Sequence, residues 1–243
     1  MKPQVELVQR PDIKDFRQVT KFLEHIARVC YQSEGKISEF SDIELVKKLL
    51  SRKHMTIFEH VGFEYPEQYP DDNINFTLRH QLEAHEYYDI VGLEYLLNHP
   101  FIPKENKEAL TFRIITNRGV THELVRHRQC SFAQESTRYV KYTTDEDAGQ
   151  LCILPEWVSM YPILTDEINK WFKEYTLPLY KKILEEAGLQ MARGVLPNFL
   201  KSEIIVTFHK RVWFDHFLEL RTSEAAHPEM RYIANLMKKE VLH

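Results

Sequence analysis

The sequence predicts an α+β fold: a central, mostly antiparallel sheet flanked by helices, in a single domain over 1–243 with an insertion at about 66–108. Three observations carry that reading. Segments with period-two alternation recur along the chain, separated by stretches with apolar residues every three or four positions. The 243 residues are 43% hydrophobic, enough for one large core or two small ones, and include only seven glycines, so an ordered, helix-rich globule is expected. No internal repeat and no linker-like low-complexity run divides the chain.

The elements follow in order. VELVQ alternates and reads as a short strand. After Pro11 and Asp12, a helix carries Phe16, Val19, Leu23, Ile26 and Cys30 at helical spacing. Ser41-Asp-Ile-Glu44 has the capping-box pattern, with Ile43, Val46, Leu49 and Leu50 following on one face. TIFEHVGFEY alternates imperfectly and reads as a strand. The insertion opens on the polar loop YPEQYPDDN, carries His80, His85 and His99, and ends at HPFIPKEN, an excursion from the main fold. TFRIITNRG reads as a strand closed by a turn at Asn117-Arg118-Gly119, and Thr121 caps a helix beginning THELVRHR. Beyond a loop around Asp145 to Gly149, a long helix over about 165–188 carries Ile168, Phe172, Tyr175, Leu179, Ile183 and Leu184, with a kink predicted at Pro178. EIIVTFH is a strand, VWFDHFLELR a helix, and PEMRYIANLMKKEVL a last helix with Pro at its start.

The totals exclude several classes. A net charge of −4 provides no global field to attract nucleic acid or an anionic membrane. Cys30, Cys130 and Cys152 are odd in number and lack C-x-x-C spacing, which points to a reducing compartment and away from a disulfide framework. The start MKPQVELVQRPD lacks the apolar stretch of a signal peptide, and no run approaches the roughly 20 apolar residues of a membrane span. A cytoplasmic enzyme is expected.

The chemistry concentrates in RHRQCSFAQESTRY, where basic side chains follow directly on the apolar-containing ELV. Such a cluster in an acidic chain implies a bound anion. The common phosphate cradle is a glycine-rich loop, and no two glycines here are closer than Gly188 and Gly194, so neither a dinucleotide fingerprint nor a P-loop is present. The anion must be held by side chains, with forked guanidinium groups the best donors: Arg126, Arg128, Arg138, Arg193 and Arg221. Ser136 and Arg138 alternate about Thr137, which in an extended segment would aim both at one phosphate. HELVRH is off the zincin pattern: the second histidine, His127, is at i+5, and at about 100° per residue it lies about 140° round a helix. His54, Glu59 and His60 read as polar residues closing a strand start, and Cys130 as a small buried residue without a base.

With these residues laid out, the sequence resembles the flavin-dependent thymidylate synthases. Their signature, Arg-His-Arg, seven residues, then Ser, is Arg126-His127-Arg128, QCSFAQE, Ser136, followed by Thr137-Arg138-Tyr139. ARVCY, HMTIFEH, NRGVTHELVRHR, ARGVLP and LRTSEAAHPEMR resemble family segments in the expected order, covering most of the chain outside 66–108. The resemblance implies reductive methylation of deoxyuridylate (dUMP) to thymidylate (dTMP). Methylenetetrahydrofolate would be the carbon donor, FAD would carry the hydride, and NADPH would reduce the flavin. It implies a dUMP site of Glu123, Leu124, Val125, Arg126, Gln134, Glu135, Ser136, Thr137, Arg138, Arg193 and Arg221. It implies FAD contacts from Thr56, Arg126, His127, Arg128, Gln134, Lys210 and His216, and no metal. Arg221 would lie against the uracil and activate it, with Ser136 binding substrate in preference to attacking it. It also implies a homotetramer with sites between subunits.

The chain departs from the family in two places. Lys210-Arg211-Val212 stands where the family commonly has Asn-x-Arg, and Glu135 stands where an apolar residue is common. Three rivals remain: a nucleic-acid module using the basic cluster, a metal-dependent nucleotide hydrolase, and a family member that has lost catalysis. The acidic net charge argues against the first, and the Lys210 departure is the only support for the last.

Overall fold

The computed structural model describes residues 1–62, 77–98, 109–142 and 151–242. Four strands form one antiparallel sheet: β1 (Gln4–Val8), β2 (Ala109–Asn117), β3 (Ser131–Gln134) and β4 (Lys201–His209), in the order β1-β2-β4-β3. The registers place Phe112 opposite Val206, Ile114 opposite Ile204, and Ala133 opposite Ile205. Successive side chains alternate faces, so Phe112, Ile114, Ile204, Val206 and Phe208 share one side, and Thr111, Arg113, Ala133, Ile205 and Thr207 share the other. β4 is buried from 202 to 208 because both faces are covered.

On one face pack α1 (Phe16–Tyr31), α2 (Ser41–Ser51) and a 3₁₀ helix, Met55–His60. They are joined there by α3 (Leu78–Ala84) and α4 (Ile90–Leu97). On the other face, α5 (Arg118–Leu124), the helical segment 210–222 and the last helix pack on Phe112, Phe208 and their neighbours. A third cluster, with Tyr142, Phe172, Tyr180 and Leu200, lies beneath α6 (Pro162–Trp171) and α7 (Leu177–Ala187). The last helix, α8 (Pro228–Leu242), begins at its proline as expected. Among the described residues no helix is long and apolar enough to cross a membrane.

Several elements differ from the sequence reading. The strand expected over 56–65 is the 3₁₀ helix Met55–His60, continuing to buried Val61. Met55, Phe58 and Val61 are three apart, the 3₁₀ period, and that spacing prevailed over the imperfect alternation. Ser41 lies inside α2 with Phe40 at the cap, and its hydroxyl accepts from the Ser38 N–H at 2.8 Å. The turn at 117–119 is instead the first turn of α5, capped by Asn117 and not by Thr121. The long helix is interrupted by a π-helical turn, Phe172–Thr176, in which the Leu177 N–H bonds the Phe172 carbonyl. Pro178 has no N–H to close the regular ladder, so the widened turn stands just before it. A second π segment, Trp213–Leu218, lies within 210–222.

Part of the stretch expected to be an excursion from the main fold belongs to the first core: Leu78, Leu82 and Leu93 are fully buried. The stretches YPEQYPDDN and HPFIPKEN, with His99, lie outside the described residues, as does the loop around Asp145 to Gly149.

Candidate functional site

α5 is the platform of the site. Asn117 ends β2, and its Oδ1 accepts the Val120 N–H at 3.0 Å. Its Nδ2 donates to the Ile153 carbonyl at 3.0 Å and to the Glu229 carboxylate at 2.6 Å, which ties α5 to the start of α8. Burial raises the Glu229 carboxyl, and the bond from Asn117 works against that rise. Asn117→Ala is expected to cost about 2 kcal/mol in urea unfolding, since it removes a cap and leaves a buried carbonyl unpaired.

Three consecutive turns of residues 210–222 then aim a guanidinium at α5. Trp213 and Phe217 stack at 5.1 Å and pack against Phe208 of β4. Arg221 continues this four-residue spacing. Its Nε donates to His127 Nε2 at 2.9 Å, and its Nη1 donates to Glu123 Oε2 at 3.3 Å. His227 Nδ1 lies 3.6 Å from the other Glu123 oxygen. The His127 ring meets the Phe217 ring edge-on at 5.0 Å. Burial, then the Arg221 charge, lower the His127 imidazole to about 4. It is therefore neutral at pH 7, and since guanidinium only donates, Nε2 is its acceptor and Nδ1 carries the proton. Arg221 is thus fixed on two sides with donors to spare.

α5 ends at Leu124, so Arg126, His127 and Arg128 stand on a turn and not on a helix. Leu124 is buried, while Val125, Arg126 and Arg128 are exposed. Among the described residues neither Arg126 nor Arg128 has an ion-pair partner. On the adjacent strand, Gln134 Nε2 donates to Thr121 Oγ1 at 2.8 Å and to Ser202 Oγ at 3.0 Å, linking β3 to α5. β3 stops there. Ser136, Thr137 and Arg138 form a turn and not an extended segment: the Ser136 carbonyl accepts the N–H groups of Tyr139 and Val140, both at 3.0 Å, and its Oγ accepts the Arg138 N–H at 3.3 Å. Arg138 lies over the Tyr139 ring. The Glu135 carboxyl turns inward, away from this surface, to Tyr142.

The structure therefore brings Glu123, His127 and Arg221 into one hydrogen-bonded group, with Gln134 tied to the same helix. Thr56, Arg193 and His216 are exposed and Lys210 is half-buried; among the described residues none of them hydrogen-bonds to that group. Sequence reasoning missed His227, Glu229 and the capping role of Asn117, although an Asn-x-x before an apolar helix face is a cap signal. Burial pushes the thiols of Cys130 and Cys152 to about 12 and that of Cys30 to about 11, so all three are protonated at neutral pH.

Comparison with known proteins adds the following. The family described as Thymidylate synthase complementing protein matches residues 104–243. A flavin-dependent thymidylate synthase of Thermococcus onnurineus is 37% identical over 136 residues, 55% of this chain and 54% of that protein. One of Corynebacterium glutamicum is 30% identical over 227 residues, 89% of this chain and 84% of that protein. The chain spans about half the length of the Thermococcus and Pyrococcus abyssi relatives it matches, 54% and 50%. Among solved structures, thymidylate synthase X from Helicobacter pylori with FAD and dUMP aligns with a TM-score of 0.47 at 16% identity, covering 98% of this chain and 92% of that one. The family match spans more than half of the chain, and the Corynebacterium relative aligns along most of both proteins: the chain belongs to the thymidylate synthase complementing protein family, that of the flavin-dependent thymidylate synthases.

Proposed function

We propose that the protein methylates dUMP to dTMP with methylenetetrahydrofolate as carbon donor and a hydride carried by FAD and replenished by NADPH. The observation that supports this most directly is Arg221, held by neutral His127 and by Glu123 with donors left for a ligand. A guanidinium fixed there binds the uracil N3–O system as it becomes anionic and polarises the ring for reaction at C5. Glu123 orients Arg221 and balances its charge. His127 accepts from it without competing for the anion. No enzyme nucleophile is required: the thiols are protonated, and Ser136 Oγ accepts a backbone N–H and has no hydrogen bond to a basic side chain among the described residues.

The remaining assignments follow the local chemistry. The 136–138 turn and Arg138 take the phosphate, with Arg193 adding a second guanidinium. Glu123, Val125, Arg126, Gln134 and Thr137 line the nucleotide, and Leu124, being buried, offers only its backbone. The residues present fit a dinucleotide cofactor: a pyrophosphate needs cationic donors, and Arg126 and Arg128 are exposed cations flanking His127. Thr56, Gln134, Lys210 and His216 complete the assigned FAD contacts. Arg211, whose N–H donates to His209 Nδ1 at 3.2 Å, shares the place of the family's Asn-x-Arg with Lys210. Among the described residues Thr56, Arg193, Lys210 and His216 make no hydrogen bond to Arg221, and the complete site is assigned to the interface between subunits of a cytoplasmic homotetramer.

The test is the visible spectrum of the purified protein before and after adding FAD and dUMP. A flavin spectrum that shifts with dUMP, followed by dTMP formation with methylenetetrahydrofolate and NADPH, is expected. A protein that takes up no FAD would sink the reading.

A further inference from the structure

We infer that Glu135 and Tyr142 are positioning residues: their side chains clasp the two ends of the loop that presents Ser136, Thr137 and Arg138, and so hold its phosphate-accepting shape. This rests on the assignment of that turn to the substrate phosphate. The Tyr142 hydroxyl donates to Glu135 Oε1 at 2.6 Å, and both residues are 5% exposed. Seven positions separate them, and everything between them is the turn and its exit.

Each end of the loop is anchored in a different part of the fold. The Glu135 N–H donates to the Glu203 carbonyl of β4 at 2.7 Å, and the Ser136 N–H to the Cys30 carbonyl near the end of α1 at 3.0 Å. The Tyr142 N–H lies 3.4 Å from the hydroxyl of Tyr180 on α7, and the two rings meet edge-on at 6.1 Å. The clasp thus couples the sheet and α1, which hold the start of the loop, to the third core, which holds its end. Without it the backbone bonds to the Ser136 carbonyl still close a local turn and the Tyr139 ring still meets Tyr31 of α1, but among the described residues no side-chain hydrogen bond joins the start of the loop to its end.

Glu135 is an expensive residue to bury, and its placement supports a specific role. Its Oε2 is buried and has no hydrogen-bond partner among the described residues, so an ionised carboxylate there would leave one of its oxygens unpaired. Burial, reinforced by Glu203, raises the carboxyl, while the Tyr142 bond and Lys201 oppose the rise. An apolar residue would fill the space at lower cost, but would give the Tyr142 hydroxyl no acceptor. Glutamine, by contrast, mimics a neutral acid and keeps the Oε1 acceptor.

The experiment compares Tyr142→Phe, Glu135→Leu and Glu135→Gln in the full-length FAD-loaded enzyme. It measures kcat and KM for dUMP and the inhibition constant of deoxyuridine, which lacks the phosphate. The clasp predicts that Tyr142→Phe and Glu135→Leu raise KM for dUMP about tenfold, the scale of one buried hydrogen bond. Under the same proposal kcat holds within about threefold, deoxyuridine binding is unchanged, and Glu135→Gln stays near wild type. Tyr142→Phe removes one oxygen and keeps the test open if Glu135→Leu fails to fold. A lower melting temperature with unchanged KM, or equal losses for dUMP and deoxyuridine, overturns the proposal. A wild-type enzyme that binds no dUMP overturns instead the functional assignment on which the proposal stands.

Discussion

Arg221→Ala is expected to lower kcat/KM for dTMP formation by about 10²–10³-fold, the usual effect of deleting a fixed donor to a developing anion. The size follows from pre-organisation. Arg221 is held at Nε by His127 and at Nη1 by Glu123, so its position is set before substrate arrives. Arg221→Lys keeps the charge but cannot bridge both partners, because an ammonium is a point donor without the guanidinium fork, so it is expected to recover only part of the loss. The fold should survive both changes. The Glu123–Arg221 pair is partly exposed, at 33% and 18% of the side chains, and His227 stays beside Glu123, so the cost in stability should be at most about 1 kcal/mol. Steady-state kinetics with a parallel urea melt separates the two effects. Turnover of Arg221→Ala within tenfold of wild type would remove Arg221 from the chemistry. Loss of the Arg221 charge should also let the His127 imidazole rise from its lowered position, a shift that NMR titration reads directly.

The parts of this arrangement legible in the sequence are those with local causes. α1 and α8 were readable because their apolar residues recur at helical spacing, β1 because it alternates and β4 because it is a short β-branched apolar run, and Pro228 marks a helix start that needs no tertiary help. The basic cluster was readable because its charge contradicts the acidic balance around it. The misread elements have competing signals. Residues 55–61 carry both an alternating and a three-residue period, and packing against the sheet selects the second. The Asn-Arg-Gly sequence is good turn chemistry and also a good helix start; Asn117 does the latter because its side chain finds Val120, Ile153 and Glu229 together. The pairings that build the site were illegible for a simpler reason. Arg221 meets residues more than ninety positions away, and nothing local distinguishes it from any other arginine at the end of an amphipathic helix. By charge alone it was one of five candidate arginines, and only family resemblance singled it out.

The second large effect lies in the buried polar layer on the opposite face of the sheet. His60 is fully buried, with Nδ1 at 2.8 Å from Thr207 Oγ1 and Nε2 without a hydrogen-bond partner among the described residues. Thr207 pairs with Thr111 at 2.9 Å, and Arg10 donates to Thr111 at 2.8 Å and to the His60 carbonyl at 3.2 Å. A proton on His60 would therefore sit in a dry interior beside a guanidinium and two hydroxyls, with no carboxylate among these partners. Burial first, and then Arg10, lower the imidazole to about 3 from an ordinary value of 6.5. The unfolded chain accepts a proton below about pH 6.5 that the folded protein refuses until about pH 3. The stability contributed by neutral His60 is thus complete above pH 6.5 and is lost as pH falls through that window, at about 1.4 kcal/mol per pH unit and on the order of 5 kcal/mol in all. Carboxylates titrate over the same range, so the wild-type curve alone does not isolate the histidine. His60→Gln keeps a polar partner for Thr207 and cannot titrate. Urea midpoints measured from pH 7 to pH 4 should fall more steeply for wild type than for His60→Gln, by close to one proton in the slope. Parallel curves would mean that His60 accepts its proton without unfolding the chain, and that the layer formed by Arg10, Thr111 and Thr207 can open to admit water.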